Sequence, residues 1–559
     1  MKKIIIYVLF VFCLDSVIYS QNNILLTKQK VEKISTLSNV WGLLKYYHPR
    51  LKKNKISFDE WNIVLNKNID IILGDKIDFN NQIKNLINDC GYYKIKSKTP
   101  PSKYINNDIF KWIKDDSLLS TKNKNALKQL ILNSYNIKHK QITKEILKNY
   151  NIKKHITKEF YLDSLSYNRI ALIGLISYIQ DVKYFYANKK FLLKDINSLQ
   201  KEFIPKAYLA NSFNDYLRVI LRLAANINDS HSRTYSPIKG KRLRVYTKII
   251  NDTVVILKNK TNLPEIKEGD YIVKINDIPV KTYIDSLKLF VSASSKQAKN
   301  KKVNNLLLYS EKENNLILDI VNSKGNRYNI TANPYKNNNP YTDHKIIARK
   351  MSEYKKDSAF KVLQDNIGYI NIGYLRNKDI SKAFRLLKNT KGIIIDCRIY
   401  NTINVNKLLK YFSNKHGKYI NIELYSKRNI GFFEKNIIIK SIVEKVRPFF
   451  HKSKNKFYEK YYKNKKIVIL INENNISFSE QLLLAIKYSR QDAVFIGRPT
   501  DGTFGNNTYI KLPKNLFMSF TTAKVKNLNN QNLHGIGIKP DIFVKQYAKN
   551  FLKNNRLLI

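Results

Sequence analysis

The apolar positions change their period along the chain, and each change marks a region. From about residue 21 to 240 they recur at helical spacing, as at Val40, Leu43, Leu44 and Tyr47. The run over residues 40–47 meets a helix stop at Pro49, and a weak echo of it follows at 169–178. Both runs pass through aromatic stretches, Tyr46-Tyr47 and Tyr184-Phe185-Tyr186, into another helical pattern, which suggests a duplicated helical unit. A further helix is predicted over 213–225. From 243 to 335 the period drops to two, in short alternating runs that predict a small β-rich domain. From 345 to 545 continuous apolar runs such as Ile467-Val468-Ile469-Leu470-Ile471 alternate with helical stretches, as in an α/β core. A basic, helix-rich insertion over 432–465 interrupts this core; it reads as a solvated face with a local apolar contact, or as a cap over a site. The expected fold class is multidomain α+β.

The chain has 559 residues, 43% of them hydrophobic, enough for several cores. Met1-Lys2-Lys3, the short apolar run 4–14 and Ser20-Gln21 read as a signal peptide over residues 1–20, cut after Ser20. The run is too short for a membrane span, and Cys13 lacks the small residues of a lipoprotein cut. A soluble periplasmic or extracellular protein is expected, with no integral membrane segment after cleavage. Cys90 and Cys397 would then remain, without metal-ligand spacing, and read as inert buried thiols. No metal or cofactor is expected. The formal charge of +57 invites a nucleic-acid reading, but Lys is spread evenly among Asn and Ile and forms no basic arm. Nucleic acid is therefore not an expected partner.

The chemistry concentrates at Asn475-Ile476-Ser477-Phe478-Ser479-Glu480. An apolar strand breaks at 472–475, and Ser477 opens a helical pattern. Strand, short loop and helix with a serine at its mouth is how a nucleophile is exposed, and the helix start offers free N–H groups to an oxyanion. By itself the segment also fits an N-cap serine.

The surrounding motifs favour the nucleophile. Residues 471–480 resemble the Ser-x-Ser-Glu segment of the C-terminal-processing (tail-specific) serine peptidases. Residues 493–500 resemble that family's next strand and turn, and Gly535-Ile536-Gly537 with Pro540-Asp541 its closing motif. Upstream, Gly368-Tyr369-Ile370 and the 391–398 strand resemble its earlier strands. Asn228-Asp229-Ser230-His231 resembles the Asn-Asp-Ser-His motif of the tricorn-core-like branch. The resemblance implies a crotonase-like ββα peptidase core. It implies Ser477 as nucleophile, with Ser479 the alternative, and His231 as general base supported by Ser230. It also implies an oxyanion hole from the backbone N–H groups of Phe478 and Tyr400. Gly269-Asp270-Tyr271-Ile272 and Ile275-Asn276 resemble a bacterial PDZ segment, which adds a chain end to its sheet as a strand. The implied activity is hydrolysis of extended polypeptides by a secreted serine endopeptidase, with recognition of C-termini as one mode. The alternatives are a catalytically weakened peptide-binding protein and an apolar-ligand-binding protein of the same fold.

Three departures bear on the site. Pro499-Thr500-Asp501-Gly502-Thr503 lacks the lysine of the family's Ser-Lys dyad, and Thr503 is expected to matter little. His534 stands where the His branch carries an acid. Ile399-Tyr400 replaces a glycine turn, while Asp396 and Arg398 read as a structural pair. His48 reads as a polar cap. With an ordinary imidazole as base, activity would rise through about pH 6 to 7.5.

Overall fold

The computed structural model describes residues 26–52, 58–75, 77–91, 100, 104, 106–135, 137–138, 164–235, 240–310, 315–337, 359–400, 403–411, 413, 419–426, 428–435 and 456–547. The expected signal peptide and residues 436–455 of the expected insertion lie outside them. Two compact units are present. No helix among the described residues is long and apolar enough to cross a membrane.

The first unit is helical: α1 (Lys28–Tyr47), α2 (Phe58–Gly74), α3 (Phe79–Asp89), α4 (Thr121–Ser134), α5 (Tyr167–Phe185), α6 (Ile196–Tyr208) and α7 (Phe213–Ala224). Helix α1 starts at the Thr27 cap and ends at His48, beside the stop that the sequence predicts at Pro49. The two echoing runs became α1 and α5. They meet where Gly42 has no side chain: a Cβ there would lie 2.4 Å from Gln180 Oε1. Beside it a buried ion pair joins Lys45 to Asp181 at 3.2 Å, and the Tyr46 hydroxyl donates to the same carboxylate. The unit also takes in Leu424–Glu434 and Asn507–Thr522, which the sequence reading left inside the core. Their aromatic residues explain this. Phe520 packs on Tyr178 and Tyr186, and Phe432 stacks on Tyr104. An alternating apolar pattern says that a strand has a buried face, not which unit buries it.

The second unit holds the rest. Its β-rich part has strands β1 (Val245–Ile250), β2 (Thr253–Asn259), β3 (Tyr271–Ile275), β4 (Ile278–Pro279), β5 (Leu316–Val321) and β6 (Arg327–Ala332). They form an antiparallel sheet in the order β1-β2-β3-β5-β6, with β4 on β3. Helices α8 (Val280–Lys288) and α9 (Lys296–Asn304) accompany it. Val254, Ile256, Ile272, Ile275, Ile284, Leu318 and Ile320 form its core.

The second part is a six-stranded sheet: β7 (Phe360–Leu363), β8 (Ile367–Asn371), β9 (Gly392–Asp396), β10 (Lys466–Ile471), β11 (Val494–Gly497) and β12 (Ile542–Phe543), side by side in that order. Only β7 is antiparallel. Helix α10 (Ile380–Leu386) joins β8 to β9, and α11 (Phe478–Ser489) joins β10 to β11. Ile393, Ile395, Ile467, Ile469 and Phe495 form the buried face of the sheet, and Ile394, Val468 and Leu470 between them are partly buried on the other. Register pairs Asp396 with Leu470 and Ile471 with Gly497, so β9, β10 and β11 end on one edge. The fold is multidomain α+β.

Candidate active site

Three loops leave that edge, where open parallel sheets place their sites. The first carries Cys397–Tyr400, the second 472–477 and the third 498–506. Asn475 ties the first two together. Its Nδ2 donates to Cys397 O at 2.6 Å and to Ser479 Oγ at 2.7 Å, while its Oδ1 accepts from the Asn472 N–H at 2.9 Å. Its backbone carbonyl takes the Asp501 N–H at 2.9 Å, which adds the third loop. Close packing keeps the loops in place. A Cβ on Gly497 (φ +133) would lie 2.1 Å from Ile471 O, and one on Gly373 would lie 2.5 Å from Ile399 Cβ.

Ser477 is the N-cap of α11, with φ 58 and ψ −116. This is strained for a residue with a side chain; it costs about 1–3 kcal/mol and persists only where the surroundings enforce it. Here they do: its N–H reaches Thr503 O at 2.9 Å and Glu480 Oε2 at 3.2 Å. Ser477 is half-buried, whereas Ser479 is buried and its hydroxyl oxygen is taken by Asn475. Phe478 heads α11, so its N–H is among those lacking an intrahelical carbonyl. Tyr400 sits, half-buried, in the loop stitched to Asn475.

The Glu480 carboxyl is the hub of the third loop. It accepts from Gly502 N at 2.8 Å, Thr503 N at 3.0 Å, the Thr500 hydroxyl and the Ser477 N–H. Burial, then the charge of Asp501, push it up to about 8, against those donors.

The Ser230-His231 loop is buried beside this hub. His231 N–H donates to Asp229 Oδ1 at 2.9 Å. Ser230 and Ser294 pair reciprocally, each backbone N–H donating to the other's Oγ at 3.0 Å. Asp501 Oδ1 accepts from the Thr503 hydroxyl at 2.7 Å. Thr503 Oγ1 also bonds Ser294 Oγ, so the Ser294 hydroxyl is the donor there. Ser230 adds a side-chain hydrogen bond to Asp501, and Lys301 of α9 pairs with its Oδ2 at 3.2 Å. Burial raises Asp501, but Lys301, the two hydroxyls and Lys302 outweigh it and hold the carboxyl below its usual range. For His231 burial dominates and pulls the imidazole down to about 4. Asp229 and Asp501 work upward; Arg233 and His534 work downward.

Hydrogen bonds thus link the Ser477 backbone through Thr503 to Ser294, Asp501 and Ser230, the residue before His231. Thr503, expected to matter little, joins the Ser477 backbone, Ser294 and Asp501. The expected rise through pH 6 to 7.5 assumed an ordinary imidazole, whereas burial, which a loop sequence does not reveal, holds His231 below that range. His534 is a brace: a carbonyl only accepts, so its Nε2–H donates to Asn228 O at 3.1 Å. Asp396 and Arg398 are a structural pair, with bonds of 2.9 and 2.7 Å, and Tyr369 donates to the same carboxylate. Sequence reasoning missed Asp501, Ser294 and the role of Thr503; the only available signal was a carboxylate two residues from Thr503 in a glycine turn. Cys90 and Cys397 are free and buried. Among the described residues no group of three or more His, Cys, Asp or Glu side chains is placed to hold a metal.

Residues 366–544, which carry β8 to β12 and the Ser477 helix, match the family model for peptidase family S41. The chain carries an S41 peptidase domain. A comparison with curated proteins finds no match to the sequence. Among solved structures, mature CPAF complexed with lactacystin resembles this chain at 14% identity and a TM-score of 0.54, over 69% of this chain and 95% of that one. A CPAF s499a mutant gives the same TM-score and identity over 69% and 94%. The photosystem II D1 C-terminal processing protease matches at 14% identity with a TM-score of 0.36, over 68% and 95%. At this identity the likeness to CPAF concerns the fold. It extends beyond the S41 domain, because 69% of the chain exceeds that segment.

Proposed function

We propose that the chain is a secreted serine endopeptidase in which Ser477 is the nucleophile and His231 the base. The observation that carries this reading is the strained Ser477 backbone at the mouth of α11, on the carboxyl edge of the sheet, bonded to Thr503, whose hydroxyl meets Ser294 and Asp501 beside Ser230-His231. Ser477 Oγ attacks the scissile carbonyl carbon as His231 takes its proton. The oxyanion is met by the N–H groups of Phe478 and Tyr400. His231 then protonates the leaving amine, the C–N bond breaks, and an acyl-Ser477 ester remains. Water, deprotonated by His231, attacks that ester and frees Ser477. Residues 243–335 act as a PDZ-like site that takes extended polypeptides by strand addition, their C-termini included.

A fluorophosphonate probe and casein digestion test this on the chain from Gln21 onward. Wild type should label and digest; Ser477→Ala and His231→Ala should do neither, because members of one catalytic unit lose activity together. Undiminished labelling of Ser477→Ala would move the nucleophile to Ser479. A wild type that neither labels nor digests would leave a peptide-binding protein.

A further inference from the structure

We propose that Asp501 is the positioning acid of this site: it holds the Ser230-His231 pair for proton transfer and is itself held by Lys301 of the β-rich region. The inference rests on the Ser477/His231 reading above. A buried imidazole that must accept a proton needs a negative group nearby, because the imidazolium formed during attack is otherwise left uncompensated. His534, at the position where an acid was expected, donates to Asn228 O and offers no negative charge. Asp229 also acts on the ring, and its Oδ1 holds the His231 backbone N–H.

Asp501 is the second carboxylate acting on the ring, after Asp229, and its bonds also reach toward Ser477. It is 1% exposed, so its charge is little screened by water. Its hydrogen bonds run to Ser230, beside the base, and to Thr503, whose carbonyl accepts the Ser477 N–H. It therefore touches both halves of the catalytic pair through one residue each. Lys301 orients it: the ammonium spans Asp501 Oδ2 at 3.2 Å and Glu473 O at 2.7 Å. Neighbouring Lys302 donates to Ser232 O at 2.9 Å and Ser292 O at 2.6 Å, so α9 grips both sides of the base loop. Lys301 also limits Asp501: it neutralises part of the charge that the imidazolium would feel.

This gives opposite signs for two substitutions. The charged groups acting on His231 are Asp229, Arg233, Asp501 and His534; those around Asp501 are Lys301, Lys302 and Glu480. Asp501→Asn removes a negative charge, so the ring should titrate at lower pH by about one unit. Its plateau rate should fall at least about tenfold, as the imidazolium loses support. Lys301→Gln unmasks Asp501, so the ring should titrate at higher pH. Asp501→Glu should recover part of the rate that Asp501→Asn loses.

The test is the pH profile of fluorophosphonate labelling for the full chain and these variants, with His534→Gln to show that the acid limb is not that of His534. Opposite displacement of the limb in Asp501→Asn and Lys301→Gln supports the proposal. Equal loss of rate with unmoved limbs, or limbs that move together, would make Asp501 a structural brace and overturn it. If Asp501→Asn does not fold, the upward shift in Lys301→Gln decides alone, and no shift there refutes the idea. A wild type that does not label overturns both the catalytic reading and this one; a labelling wild type with unmoved limbs overturns only this one.

Discussion

Replacing Asn475 should damage the site without touching a reacting group. Its amide is oriented unambiguously: the Asn472 N–H needs an acceptor and Cys397 O needs a donor. Asn475→Ala leaves three buried partners, Cys397 O, Ser479 Oγ and Asn472 N, without their bonds. At about 1 kcal/mol each the loss is about 3 kcal/mol, and desolvation of the orphaned groups adds to it. Asn475→Asp keeps the shape but turns a carboxylate toward Cys397 O, where Nδ2 now donates at 2.6 Å. At about pH 8 it should be worse than Ala, since a buried anion faces a carbonyl. Near pH 5 the protonated acid regains one donor, and the gap to Ala should close. Urea denaturation with fluorophosphonate labelling at both pH values measures this. An aspartate variant as stable and reactive as wild type at pH 8 would refute the reasoning, as would an alanine variant that loses less than about 1 kcal/mol.

Four further outcomes are expected. Labelling of wild type should rise through about pH 4, because only neutral His231 accepts a proton and burial holds it there. His231 and His48 are both lowered to about 4 by burial, so each adds stability above the unfolded value near 6.5 that is lost as pH falls toward 4; acid denaturation starting only below pH 4 would contradict this. Gly497→Ala should lower stability by about 2 kcal/mol or more, because its Cβ would strike Ile471 O in a backbone region closed to side chains; an unchanged urea midpoint would count against it. Asp181→Leu should cost about 3–5 kcal/mol by stranding buried Lys45, and adding Lys45→Met should recover much of it; equal losses in the single and double variants would argue against a stranded charge.

The hydrophobic pattern disclosed the helical region, the β-rich part and the parallel core, because their periods differ. Ser477 and Ser230-His231 could be nominated as candidates because each lies in a short segment with its own local grammar: strand, loop and helix for one, a turn after a helix for the other. The bonds of Asp501, Ser294 and Thr503 could not be read, because they form only when a third loop and the residues before and within α9 close on the Ser230-His231 turn. The hairpin strands Asn507–Leu512 and Leu516–Thr521 were legible as strands but not in their membership, since Phe520 meets Tyr178 through contacts that no local pattern encodes. The burial that lowers His231 was hidden from the sequence for a similar reason: it belongs to the folded chain.

The bond from His534 to Asn228 joins residues 306 positions apart, and the Ser230–Asp501 contact is nearly as long in sequence. Synthesis runs from the N-terminus, and early domains fold as they emerge. A nascent chain released as far as Ser477 still lacks Asp501, the Asn507–Thr522 strands that complete the helical unit, and the His534 brace. The strained serine turn therefore emerges before the loops that hold its backbone can close on it.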